Sequence, residues 1–179
     1  PFFIHGGACI VRGRGEMITP LPARTDFGIV LVQPPWHSGT PAAYAALDAI
    51  RVSPEESSAP LVGEHQAATN DAVLSERYRG SLAQWQCQND FLPVLRAMHP
   101  VYDIILNALA GTGAVQCSVT GSGACCYGIF ESPEAAVRAA AQLNALRSID
   151  PLLAAIVRDI RALEPLARSM IVSYIETSD

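Results

Sequence analysis

Charge is scarce in this sequence. Only 16% of its 179 residues are charged, 17 acidic against 12 basic, for a net charge of −5. Without a basic stripe to neutralise phosphates, the composition argues against nucleic-acid binding. Long apolar runs are missing too: none approaches the roughly 20 residues needed to span a bilayer, and no stretch reads as a signal peptide. Cysteine pairing has no framework. The five cysteines, at positions 9, 87, 117, 125 and 126, are odd in number and include no Cys-x-x-Cys spacing. They read as buried thiols of a reducing compartment, hence a cytoplasmic protein, rather than as disulfides or a zinc site. His5, His37, His65 and His99 lie far apart, so a metal bound by this chain alone is not expected. An initiating Met is absent as well; the chain opens inside an apolar run, Pro1-Phe2-Phe3-Ile4. The expectation is a piece of a longer protein.

What is present suits one domain, or one domain with part of another. Half the residues are apolar, and a chain of this length can bury roughly two-thirds of its unfolded surface. Ala8 to Val11 and Glu16 to Leu21 read as a hairpin about Gly13-Arg14-Gly15. Pro20 and Pro22 mark a boundary near residue 22. Phe27 to Val32 reads as a buried strand ended by Pro34-Pro35. Thr40-Pro41 opens a helix to about Ile50, with Thr40 as its N-cap. Residues 52–66 have loop composition and are the candidate disordered segment.

Helical periodicity resumes from Ala67 to Arg79. Asn89-Asp90 caps a helix through Met98, and Val101 to Leu109 forms another, ended by Gly111. Ser132-Pro133-Glu134 starts an alanine-rich helix to about Leu146. Asp150-Pro151 starts a further one, with Leu153, Ile156, Val157, Ile160 and Leu163 at helical spacing. Ser169 to Ile175 closes the chain as a strand. Four strands between helical layers imply an α+β two-layer sandwich, a mainly antiparallel sheet with helices on one face.

The organising stretch is Cys117 to Phe130, a strand, a Gly121-Ser122-Gly123 turn and a second strand. Two glycines about a serine let backbone N–H groups converge on an anion, although such a turn serves equally as a plain hairpin connection. Gly111-Thr112-Gly113 is not a dinucleotide fingerprint, because it follows a helix and lacks the third glycine.

Three blocks then line up: Pro1 to Gly7 with Gly13-Arg14-Gly15-Glu16; Thr40-Pro41-Ala42-Ala43-Tyr44; and Val119 to Cys125. In this order they resemble the 4-diphosphocytidyl-2-C-methyl-D-erythritol kinase family of the GHMP kinase superfamily, over positions 1 to about 146. The resemblance implies that residues 1–22 are the tail of an N-terminal kinase domain and residues 23–179 a GHMP kinase C-terminal domain. It implies ATP and Mg²⁺ as cofactors, bound mainly by the part upstream of Pro1. The substrate would be a cytidine diphosphate sugar-alcohol, phosphorylated on its 2-hydroxyl in non-mevalonate isoprenoid synthesis. The catalytic aspartate is expected two positions before Pro1, so the chain alone should be silent and would need its own N-terminal domain as partner.

Role by role, Tyr44 matches the aromatic residue on which cytosine stacks, with Thr40 and Pro41 beside it at the substrate. Thr120, Gly121, Ser122 and Gly123 match the phosphate-proximal motif. Gly13 and Gly15 read as turn residues, Glu16 as a solvated strand residue, and His5 as packed or solvated. The helix expected over 150–164 departs from the family and reads as an insertion. Two alternatives stand: a homoserine or mevalonate-type GHMP kinase, and a non-catalytic ligand-binding or dimerisation module.

Overall fold

The computed structural model describes residues 7–52 and 71–167. Strands β1 (Ala8–Arg12) and β2 (Met17–Leu21) pair antiparallel as a separate two-stranded sheet. Gly15 N–H closes the turn onto Arg12 O, and the Glu16 carboxylate accepts from Arg14 N–H just ahead of the strand that begins at Met17. The hairpin is tied to the rest through Asp71, which pairs with Arg12 and accepts from Thr19 Oγ1. Asp71 opens helix α2 (Asp71–Arg79), where a carboxylate also complements the helix dipole.

The main sheet has four strands, β3 (Gly28–Gln33), β4 (Gln116–Val119), β5 (Cys126–Phe130) and β6 (Asp159–Leu163), in the spatial order β4-β5-β3-β6. Every pairing is antiparallel, so the expected α+β sandwich is what forms. The pleat sorts the strands cleanly. Val30, Val32, Cys126, Phe130, Val119 and Ile160 face the main core, under helices α4 (Val101–Gly111), α5 (Pro133–Ile149) and the short α6 (Pro151–Ile156). Ile29, Tyr127 and Ile129 face the other way, onto Phe27, Leu82 and Trp85.

Two helix starts are built by the chemistry legible in the chain. Ser132 accepts from Ala135 N–H ahead of Pro133, and Asp150 accepts from Leu152 and Leu153 N–H ahead of Pro151. Each side chain satisfies amide donors that the first turn of a helix leaves open.

Two sequence expectations need correction. The helix begun at Asp150 does not run to residue 164: it ends at Ile156, and Asp159–Leu163 is the fourth strand of the sheet. Leu153, Ile156 and Ile160 sit at helical spacing, but the open edge of β3 competes for this segment. Arg158 N–H bonds Gln33 O, and residues 159–163 then pair along Ile29–Gln33. Ladder bonds to an otherwise unpaired edge outweigh a local periodicity. What read as an insertion is therefore part of the sheet. The second correction is at helix α1 (Thr40–Val52): Ala43 N–H bonds Gly39 O, so Gly39 occupies the cap position and Thr40 is the first helical residue. The candidate disordered segment, the closing strand over 169–175 and His5 lie outside the described residues.

Candidate functional site

The Gly-Ser-Gly turn joins β4 to β5. Gly123 N–H bonds Thr120 O, and Thr120 N–H bonds Cys125 O. Gly121 has φ +52° and Gly123 φ +92°, left-handed values at which L side chains are strained. Thr120 and Gly121 lie at the surface and Ser122 is half-buried.

Three neighbours hold this turn. Ser38 Oγ donates to Ser122 O (2.6 Å), and Thr40 Oγ1 lies 3.1 Å from Ser122 Oγ. Asn89 Nδ2 donates to Gly121 O and to Val119 O, 2.9 Å each. The hydroxyl freed from capping in Thr40 is thus spent on the turn, and the amino end of the 13-residue helix α1 sits against it.

Tyr44 follows Thr40 by one helical turn, so the two share a face. It is 53% exposed, and its ring meets Phe91, the first residue of helix α3 (Phe91–Met98), at 4.9 Å between centroids and 80° between planes. An aromatic edge contact fixes the ring while much of it stays open to solvent. Below the turn, the buried Tyr102 packs against Trp36 and His99. Burial pushes the Tyr102 phenol above its ordinary value, so it stays protonated at neutral pH.

Thr40, Tyr44 and Ser122 therefore belong to one patch, with Pro41, Thr120, Gly121 and Gly123 beside them. A separate groove of about 690 Å³, lined by Glu76, Arg77, Trp85 and Gln116 among others, contains none of these residues. Sequence reasoning missed three members. Ser38 sits in an irregular Pro-rich loop with no local signal, Phe91 read as an ordinary apolar helix position, and Asn89 read only as a cap. Among the described residues no group of three or more His, Cys, Asp or Glu side chains could hold a metal ion.

Residues 72–148 match the family model of the GHMP kinases C-terminal domain. The chain is also 34% identical over 145 residues to a 4-diphosphocytidyl-2-C-methyl-D-erythritol kinase of Rhizobium meliloti (strain 1021), covering 81% of this chain and 44% of that protein. Over these residues it is similar to the GHMP kinases. Two solved structures share its fold. A homoserine kinase from Cytophaga hutchinsonii superposes with a TM-score of 0.61 at 17% identity, over 93% of this chain and 50% of that one. A 4-(cytidine 5'-diphospho)-2C-methyl-D-erythritol kinase superposes with a TM-score of 0.52 at 23% identity, over 88% and 48%. The chain spans about half the length of the curated relatives it matches. Both candidate motifs, the turn within the matched residues and the Thr40–Tyr44 helix start before them, lie on one patch of it.

Proposed function

We propose that this chain supplies the C-terminal domain of an ATP-dependent kinase whose acceptor is a cytidine diphosphate sugar-alcohol, the 4-diphosphocytidyl-2-C-methyl-D-erythritol of its relatives. Residues 1–22 then close the N-terminal domain and residues 23–179 form the second, in a cytoplasmic enzyme of the non-mevalonate isoprenoid route. No described helix is long and apolar enough to cross a membrane.

The observation that carries the reading is the patch itself, an exposed aromatic ring one helical turn from a hydroxyl pair and a glycine turn. In this reading Tyr44 stacks on the cytosine, supported from the side by Phe91, with Pro41 and Thr40 lining the approach. The helix α1 amino end, with Thr120, Gly121, Ser122 and Gly123, faces phosphate oxygens; orphan N–H groups and the helix dipole favour an anion there. The Gly123 N–H is already engaged within the turn, so hydroxyls and the helix end carry this role. In the reaction the acceptor's 2-hydroxyl oxygen bonds to the γ-phosphorus of ATP as its bond to the ADP oxygen breaks. The hydroxyl proton passes to a carboxylate supplied outside this chain. Such transfers depend on positioning and charge stabilisation, which is what the patch offers. Mg²⁺, when bound, would screen phosphate charge and would be held mainly by the nucleotide and by residues outside this chain.

Tyr44→Ala in the intact kinase tests it. Loss of one stacked base is worth about 1–3 kcal/mol, so KM for the cytidyl acceptor should rise by roughly 5- to 100-fold at unchanged melting temperature. Homoserine serves as the control acceptor. An unchanged KM in the variant, or preferential turnover of homoserine, refutes the reading.

A further inference from the structure

Asn89 touches both halves of the patch. Its Nδ2 donates to Val119 O, at the end of β4, and to Gly121 O, the first glycine of the turn. Its Oδ1 accepts from Phe91 N–H at 2.9 Å, and Phe91 is the ring against which Tyr44 rests. Both amide hydrogens and the carbonyl oxygen are used, which fixes the orientation of the group: flipped, it would set an oxygen against two carbonyls.

The contacts close a circuit. Its members are the turn, Asn89, Phe91, Tyr44, Thr40 and, back in the turn, Ser122. A helix cap alone does not require this residue type, since Asp or Ser accepts from an N–H equally well. Only a donor satisfies the two carbonyls.

We infer that Asn89 is a positioning residue, one that holds the phosphate-facing turn at a fixed offset from the nucleobase shelf. The inference rests on the kinase reading above. Transfer rates are sensitive to displacements of about 1 Å, and of the three neighbours that hold the turn Asn89 is the one that also bonds the Phe91 backbone. Asn89 itself need touch neither substrate.

The test uses Asn89→Asp and Asn89→Ser in the intact kinase, with kcat, KM for each substrate and melting temperature measured. Both variants keep an acceptor for Phe91 N–H; the aspartate has no donor for the turn, and the shorter serine hydroxyl, with one O–H, can keep at most one of the two bonds. In Asn89→Asp two lost hydrogen bonds correspond to about a 10- to 100-fold fall in kcat/KM for ATP, and in Asn89→Ser at least one lost bond to a fall of about threefold or more. KM for the cytidyl acceptor should move by less than about threefold, because the shelf is still capped. A cap-only role predicts an Asn89→Asp enzyme like wild type, since an acid suits a helix amino end. That result overturns the inference, as does a loss shared equally by both substrates and tracking the melting temperature. Should the aspartate, set against two carbonyls, prevent folding, the serine variant decides alone. If the unsubstituted enzyme transfers no phosphate to the cytidyl acceptor, the kinase reading itself falls and this inference with it. That failure is seen before any substitution is made.

Discussion

At Gly123 two requirements coincide. Its φ of +92° suits glycine, and a Cβ built there would lie 3.0 Å from Tyr102 Oη, 3.1 Å from Ser38 Cβ and 3.2 Å from Leu95 Cδ1. Tyr102 and Leu95 are buried and cannot swing aside. Gly123→Ala should therefore lower stability by about 2 kcal/mol through backbone strain and crowding together, read as a lower urea midpoint at unchanged m-value. An unshifted midpoint would show that the floor beneath the turn yields. A second prediction concerns thiols. Burial pushes Cys126 up to about 12 and Cys117 to about 11, from an ordinary value of 9.0. Raised values in the folded state mean that the stabilisation is fully present below pH 9 and is lost as pH rises through 11 to 12. Cys126, the deeper of the two, accounts for up to about 4 kcal/mol of that loss. Urea titrations from pH 8 to 11 should show a falling midpoint, and Cys126→Ala should flatten much of the fall. A profile indifferent to that substitution would place the alkaline transition elsewhere.

Among the elements, helix α5 shows how closely layers meet. A Cβ on Gly28 would lie 2.5 Å from Ala136 Cβ, 2.7 Å from Ser132 O and 2.9 Å from Pro133 Cα. The first turn of the helix therefore rests directly on strand β3. Gly28→Ala should cost about 3 kcal/mol by prising helix and strand apart, whereas Ser132→Ala, which removes only the cap, should cost about 1 kcal/mol. Thermal melts of the two variants should preserve that order; equal losses would mean that the helix relaxes around the added methyl. The same elements show what the sequence could and could not reveal. Ser132 and Asp150 caps act within three residues, so their signals are local and were readable. Residues 159–163 carry apolar positions compatible with either period, and only the exposed edge of β3, more than 120 positions earlier, decides for a strand. Thr40, Tyr44 and Ser122 were legible through motif resemblance. Ser38 and Asn89 reach the turn across 84 and 32 positions, a separation at which single residues leave no pattern to read.

Across the molecule, the sheet's two faces are covered by different means. One carries helices α4, α5 and α6; on the other, the stretch from Tyr78 to Cys87 lies over Phe27, Ile29 and Ile129. Beside its apolar contacts and the bond from Gln116 Nε2 to Ala83 O, this second layer is fastened by Arg24. Its Nη1 donates to Tyr78 O (2.7 Å) and Gly80 O (2.8 Å), its Nε and Nη2 grip Asp26, and its guanidinium lies 5.3 Å from the Trp85 ring centroid. Hydrogen bonding from Arg24 also holds the Asp26 carboxyl below its usual value, but that carboxylate is largely exposed, so the ion pair adds little in water. The carbonyl contacts at the carboxy-terminal end of α2 are what matter: Nη1 bonds both while Nε and Nη2 stay on Asp26 and the plane lies near Trp85, a set that a single ammonium cannot reproduce. Arg24→Ala should release the layer, with a red shift of Trp85 fluorescence, binding of a hydrophobic dye over the uncovered face and a loss of about 2–3 kcal/mol. Arg24→Lys should fail to restore Trp85 emission, and Asp26→Asn should leave it nearly unchanged. The order is what discriminates: if Asp26→Asn proves as damaging as Arg24→Ala, the ion pair and not the carbonyl contacts fastens the second layer.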